Sequence, residues 1–117
     1  MTKPDYHRFD IWYVRLDPTE GSEAKKTRPC LVLQNNLGNR FSDVTIVAPF
    51  LEPKEYPFVV NVDPSSDNGL DRKRGLNLSQ MRVVAYTRFL SKLGVLEASY
   101  GLQVQEEIAI ELAIFNR

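Results

Sequence analysis

The chain has 117 residues, 43% of them hydrophobic and 26% charged, with 15 basic and 15 acidic side chains. That length suits one domain around one core, and the balance matches neither a disordered chain nor a membrane protein. A net charge of zero supplies no global basic field of the kind that steers many nucleic-acid binders.

Charge is nevertheless uneven along the chain. Lys25, Lys26, Arg28, Arg40, Arg72, Lys73, Arg74, Arg82 and Arg88 fall mid-chain, whereas Glu97, Glu106, Glu107 and Glu111 lie towards the end. This pattern fits one basic face or scattered solvated charges. Met1-Thr2-Lys3-Pro4-Asp5 lacks the basic-then-apolar order of a signal peptide. No apolar run approaches the roughly 20 residues of a membrane span, so a cytoplasmic protein is expected. Cys30 stands alone in an apolar run, which predicts a buried, inert thiol.

In chain order, Asp10 to Leu16 alternates in part and carries aromatic and β-branched residues, which predicts a first strand. Asp17-Pro18-Thr19-Glu20-Gly21-Ser22 follows as a turn cluster. Cys30 to Gln34 and Val44 to Ala48 read as buried strands, and Asn36-Leu37-Gly38-Asn39, within 36–43, reads as a loop. Further strands are predicted at Phe58–Val62, Gly75–Gln80 and Arg82–Tyr86, with a second loop over 63–74. Short strands at this spacing suggest a small barrel or sandwich. The tail differs, because Val104, Ile108, Leu112 and Phe115 recur at helical spacing among glutamates; one amphipathic helix is predicted against the sheet.

What is missing narrows the chemistry. His7 is the single histidine, so a two-histidine acid–base nuclease and a His-rich metal site are excluded. Carboxylates show no metal-ligand spacing, and no phosphate-binding glycine loop occurs, so neither a metal nor a cofactor is implied.

The segment from Asp17 to Pro29 begins a resemblance. Asp10-Ile11-Trp12, Leu16-Asp17-Pro18, Gly21-Ser22-Glu23 and Thr27-Arg28-Pro29, followed by Leu31-Val32-Leu33, form an ordered set that resembles the N-terminal signature of the MazF/PemK toxins. Asn35 to Ser42, Val47-Ala48-Pro49, Tyr56-Pro57-Phe58 and Leu78 to Arg82 are also similar to segments of that family. The resemblance spans about Phe9 to Phe115.

It implies a mainly β, α+β chain: a small SH3-like β-barrel with an appended C-terminal helix, like the CcdB/PemK toxins. It also implies a homodimer and a cognate antitoxin. The activity it implies is metal-independent cleavage of single-stranded RNA by the 2′-hydroxyl, leaving a 2′,3′-cyclic phosphate and a 5′-hydroxyl. Such chemistry needs a cation on the phosphoryl oxygens, and the fork of Arg28 suits that role. By resemblance Arg28 is the expected catalytic residue. Ser22 and Glu23 are expected to bond the substrate or orient Arg28, although Gly21-Ser22 is also what a tight turn requires. Asn35, Asn36, Arg40 and Phe41 suit the holding of unstacked bases; Ser79, Gln80 and Arg82 complete the expected RNA contacts. Trp12 and Tyr13 can stack on bases or fill the core.

Two departures stand out. The family places a Thr or Ser where this chain has Leu51, and commonly a Gly where it has Phe9. Leucine can neither donate nor accept a proton, which raises an alternative: an RNA- or antitoxin-binding relative weakened in catalysis. A third reading follows the gyrase-poisoning toxins of the same fold, whose motifs match less well.

Overall fold

The computed structural model describes residues 2–114. The strands are β1 (Asp10–Arg15), β2 (Thr27–Val32), β3 (Val44–Leu51), β4 (Val59–Val62), β5 (Arg74–Asn77), β6 (Arg82–Ala85) and β7 (Phe89–Val95). Helix α1 (Asn36–Phe41) follows β2, and helix α2 (Ala98–Glu111) closes the chain. The seven strands run in the order β4-β5-β3-β2-β1-β7, with β6 branching from β3, and every pairing is antiparallel. The sheet is open: β4 and β7 end the path without meeting.

β3 is the pivot. Its first half pairs with β6 and β2, and its last residues Phe50 and Leu51 turn to pair with Leu76 and Gly75 of β5. Alternation along the strands separates two cores. Ile11, Leu31, Ala48, Phe50, Val60, Val62 and Leu76 pack on one face together with Val104 of α2. Val14, Cys30, Val32, Val47, Val84 and Phe89 pack on the other. Cys30 is fully buried there, and burial pushes its thiol pKa up, so it is inert.

Several expectations need correction. The loop predicted over 36–43 contains α1, because the Asn35 side chain accepts the Gly38 N–H at 2.7 Å and starts a helical turn. The strand predicted at 75–80 ends at Asn77, whose side chain accepts from Ser79 N and bends Leu78–Gln80 into a 3-10 turn. β2 begins earlier, at Thr27, and tolerates Pro29 because pairing with β3 starts only at Cys30. β7 was not anticipated; its pairing with β1 shifts register twice, which breaks the alternation a strand normally displays. α2 starts before Val104. Leu112 is exposed beyond its end, and Phe115 lies outside the described residues. Gly94 in β7 is a steric requirement, since a Cβ there would stand 2.2 Å from the Asp67 carbonyl oxygen.

The N-terminal segment is not frayed. Lys3 Nζ donates to the carbonyls of Asn39 and Ser42, Arg8 N donates to Asn36 Oδ1 at 2.7 Å, and Tyr6 stacks on Phe89 at 4.4 Å. Tyr6 is 3% exposed, and its buried hydroxyl has no partner among the described residues. Removing an unsatisfied buried hydroxyl should help, so Tyr6→Phe is expected to stabilise the fold by about 1 kcal/mol, read as a higher Tm. Burial, then Asp43, raises the Tyr6 pKa. With the folded pKa above the unfolded value, the wild type keeps its stability below about pH 10 and loses it as pH rises through the folded pKa; the variant lacks that loss. A lower Tm for Tyr6→Phe would mean that the hydroxyl is bonded after all.

Candidate functional site

The site is assembled at the end of β2 where segment 16–26 returns from β1. Arg28 pairs laterally with Val14 and is half-buried. Its Nε donates to the Lys25 carbonyl at 3.0 Å, which leaves the two terminal NH2 groups without a partner among the described residues. A guanidinium held by its Nε and free at its fork is shaped to meet two oxygens of one anion. Residues 28, 30 and 32 of β2 share a face, and Arg82 of β6 lies opposite Val47 on that same face. Both guanidiniums act on the buried Cys30 thiol, lowering its pKa against the larger effect of burial.

Leu51 lies two residues past Pro49, the last β3 residue that pairs with β2. β2 and β3 pair Cys30 with Pro49, Leu31 with Ala48 and Val32 with Val47; the ladder stops there, with Arg28 two residues before Cys30 and Leu51 two residues after Pro49. Leu51 is half-buried and pairs on its other side with Gly75. Beside it, Glu52 is bonded by Arg72 and lies near Arg74; the Arg72 hydrogen bond, followed by the charges of Arg72, Arg74 and Lys54, holds its pKa below the ordinary glutamate value.

Segment 16–26 is tied down from β6 and its flanks. Gln80 Oε1 accepts Ala24 N at 3.1 Å while Gln80 Nε2 donates to the Ser22 carbonyl at 3.0 Å. Both ends of that amide are therefore engaged with protein. Arg82 Nη1 donates to the Leu16 carbonyl at 3.3 Å. Ser22 and Glu23 sit in a turn that needs Gly21 at a φ of +54° and that closes through Glu23, whose Oε1 accepts Glu20 N at 2.7 Å and whose N–H donates to the Glu20 carbonyl. Ser79 is exposed in the next turn, its hydroxyl donating to Asn77 Oδ1.

The structure thus gathers Ser22, Glu23, Gln80, Arg82 and Arg28 around one segment. It does not bring Asn35, Asn36, Arg40 and Phe41 to them. Those residues belong to α1 and its cap, and α1 faces the N-terminal segment across a groove of about 460 Å³ lined by Lys3, Tyr6, His7, Asn36 and Arg40 among others. Asn35 caps the helix, and the Asn36 side-chain Oδ1 accepts from Arg8 N. Arg40 lies over the Phe41 ring at 5.2 Å. Sequence reasoning missed Arg88, whose Nη1 donates to the Arg15 and Asp17 carbonyls; an arginine bonded only to main chain leaves no motif to find. Trp12 belongs with the core, edge-on to Phe89 at 5.6 Å. Among the described residues no three His, Cys, Asp or Glu side chains are grouped to hold a metal, and no helix is long and apolar enough to cross a membrane.

The backbone matches the crystal structure of MazF from Deinococcus radiodurans with a TM-score of 0.78 at 22% identity, covering 93% of this chain and 99% of that one. It also matches an endoribonuclease solved in complex with its cognate antitoxin from a mycobacterial species, with a TM-score of 0.75 at 17% identity, covering 92% of this chain and 95% of that one. The class is therefore the MazF toxin fold, an antiparallel sheet with a C-terminal helix. In sequence the chain is 33% identical over 112 residues to the endoribonuclease EndoA of Bacillus subtilis, covering 93% of this chain and 96% of that protein. Residues 7–112 match the family described as PemK-like, MazF-like toxin of type II toxin-antitoxin system, and the chain belongs to that family.

Proposed function

We propose that this chain is the toxin of a type II toxin–antitoxin pair and cuts single-stranded RNA. The observation that carries the reading is Arg28: half-buried, held through its Nε, with a fork that has no partner among the described residues. In the cleavage step the 2′-oxygen attacks the adjacent phosphorus and the 5′-oxygen leaves, giving a 2′,3′-cyclic phosphate and a 5′-hydroxyl. Arg28 stabilises the charge growing on the non-bridging oxygens. Glu23, one carboxylate oxygen of which is tied to Glu20 N, offers its other oxygen to the substrate, and Ser22 offers a hydroxyl. Gln80 and Arg82 act chiefly through the segment they hold, and Ser79 and Arg40 contact the flanking RNA. No cofactor enters this scheme. Long RNA incubated with purified protein in EDTA should be cut to fragments with 5′-hydroxyl ends; intact RNA under those conditions would remove the ribonuclease reading and leave the binding alternative.

The bent sheet is read as an SH3-like barrel left open, since β3 belongs to both of its halves. A cognate antitoxin is the second expected partner, in line with the complex in which the mycobacterial relative was solved.

A homodimer is the third element of the reading, and an apolar strip supports it. Leu37 and Phe41, one turn apart on α1, are 69% and 74% exposed, and Val83 on β6 is 59% exposed. Val44 joins them: it pairs with Ala85, and Ile46 on the same face pairs with Val83. Among the described residues β6 pairs only with β3, so its outer edge is unpaired there, beside this strip. A second copy related by a two-fold axis covers strip and edge together. Light scattering at micromolar concentration should return twice the chain mass for wild type and the single mass for Phe41→Asp with Val83→Asp. A monomeric wild type would overturn this arrangement.

A further inference from the structure

Segment 16–26 carries Ser22 and Glu23 and delivers the chain to Arg28, so its conformation decides how the three groups meet a substrate. At its base the segment is closed on the main chain by the end of the β1–β2 ladder at Arg15 and Thr27 and by Leu16 N donating to the Lys26 carbonyl at 2.8 Å. Besides the bond from Arg28 Nε to the Lys25 carbonyl and the Glu20–Glu23 turn within the segment, side-chain holds come from one stretch, residues 80–88. Gln80 grips the middle of the segment at Ser22 and Ala24, and Arg82 takes the Leu16 carbonyl. Arg88 takes the carbonyls on either side of Leu16: Nη1 lies 3.0 Å from Arg15 O and 2.5 Å from Asp17 O.

The root of Arg88 is well fixed. It ends the 3-10 turn Tyr86–Arg88, and the next residue, Phe89, is buried, pairs with Val14 and stacks on Tyr6. A charged donor rooted beside the core and bonded to two carbonyls sets the direction in which the chain leaves β1. Gln80 then sets where the segment crosses back. A rigid frame for reacting groups matters because small misplacements of such groups cost rate steeply.

We propose that Arg88, acting with Gln80 through the backbone of segment 16–26, is a positioning residue of the cleavage site. It touches no substrate; it fixes where Ser22 and Glu23 stand relative to Arg28. This rests on the ribonuclease reading above.

The test compares wild type, Arg88→Ala, Arg88→Lys, Gln80→Ala and the Arg88→Ala/Gln80→Ala double variant on one short RNA. Readouts are kcat, KM, Tm and hydrogen exchange of the segment's amides. Arg88→Ala should lower kcat about tenfold at a temperature well below its Tm, with KM changed far less, and should speed exchange in 16–26 but not in β3. Arg88→Lys, which keeps a cationic donor able to reach one of the carbonyls, should restore much of the rate. The double variant should lose less than the product of the two single losses, because both act through one segment. The proposal is overturned if wild type cuts and Arg88→Ala cuts equally well, if exchange rises throughout the sheet alike, or if the two losses multiply. A wild type that cuts no RNA overturns the ribonuclease reading itself, which the wild-type arm reveals before any variant is compared.

Discussion

Arg28→Ala is expected to lower RNA cleavage at least about a hundredfold while leaving the Tm nearly unchanged. The two halves of that expectation come from different features. Arg28 makes one side-chain hydrogen bond, from Nε to the carbonyl of Lys25, three residues back in a segment that is also held by Gln80 and Arg82. Losing one exposed bond of that kind costs about 1 kcal/mol or less, a modest fraction of a domain's stability. The free fork, by contrast, has no structural duty among the described residues, and its use lies in the charge that develops on phosphate. A preformed donor aimed at such charge contributes roughly 3–4 kcal/mol to the barrier. Arg28→Lys should recover little of the rate, since an ammonium on a flexible stem cannot present two parallel donors. Single-turnover cleavage of one RNA oligonucleotide, with Tm measured on the same samples, separates these effects. Equal rates for wild type and Arg28→Ala would take Arg28 out of the mechanism and leave Arg82 as the remaining guanidinium at that end of the sheet.

Features carried by local pattern were legible in the sequence, and those carried by long-range pairing were not. β1, β3, β4 and β6 could be read because alternating or continuous apolar residues mark them, and Cys30 is buried in the core as its apolar run implied. β7 could not, because its register shifts against β1 scatter its buried positions. α1 was hidden by Asn36-Leu37-Gly38-Asn39, a string rich in turn formers, whose capping bond at Asn35 outweighs those preferences once Asn39 is buried and bonded by Gln34 and Thr45. For the site, the segment around Arg28 stood out as an ordered set of motifs. That Gln80 would turn both ends of its amide to that segment depends on a contact across 56 and 58 positions, which no local spacing reveals. Arg88 has the same character at still longer range.

Leu51→Thr should speed cleavage by about ten- to a hundredfold without changing the RNA sequence preferred, the largest gain expected from any single substitution here. Residue 51 shares the parity of Pro49, which pairs with Cys30, and lies at the end of β3 where the strand turns to pair with Gly75; Arg28 shares the parity of Cys30 just before that ladder begins. A hydroxyl there would stand next to the guanidinium that holds the scissile phosphate and could donate one hydrogen bond to its charged oxygens. One such bond is worth about 1.5–3 kcal/mol, which sets the range of the rate gain. The fold should accept the change: threonine suits a strand, and residue 51 is only half-buried, so the lost packing should cost about 1 kcal/mol or less. Base choice rests on other groups, so the preferred sequence should stay the same. The result also bears on the weakened-relative alternative, because a slow wild type accelerated by threonine is an intact site lacking one donor. If wild type already cuts fast and Leu51→Thr leaves the rate unchanged or lower, the hydroxyl role does not belong at this position. Ser22 and Ser79 would then be the hydroxyls to replace next.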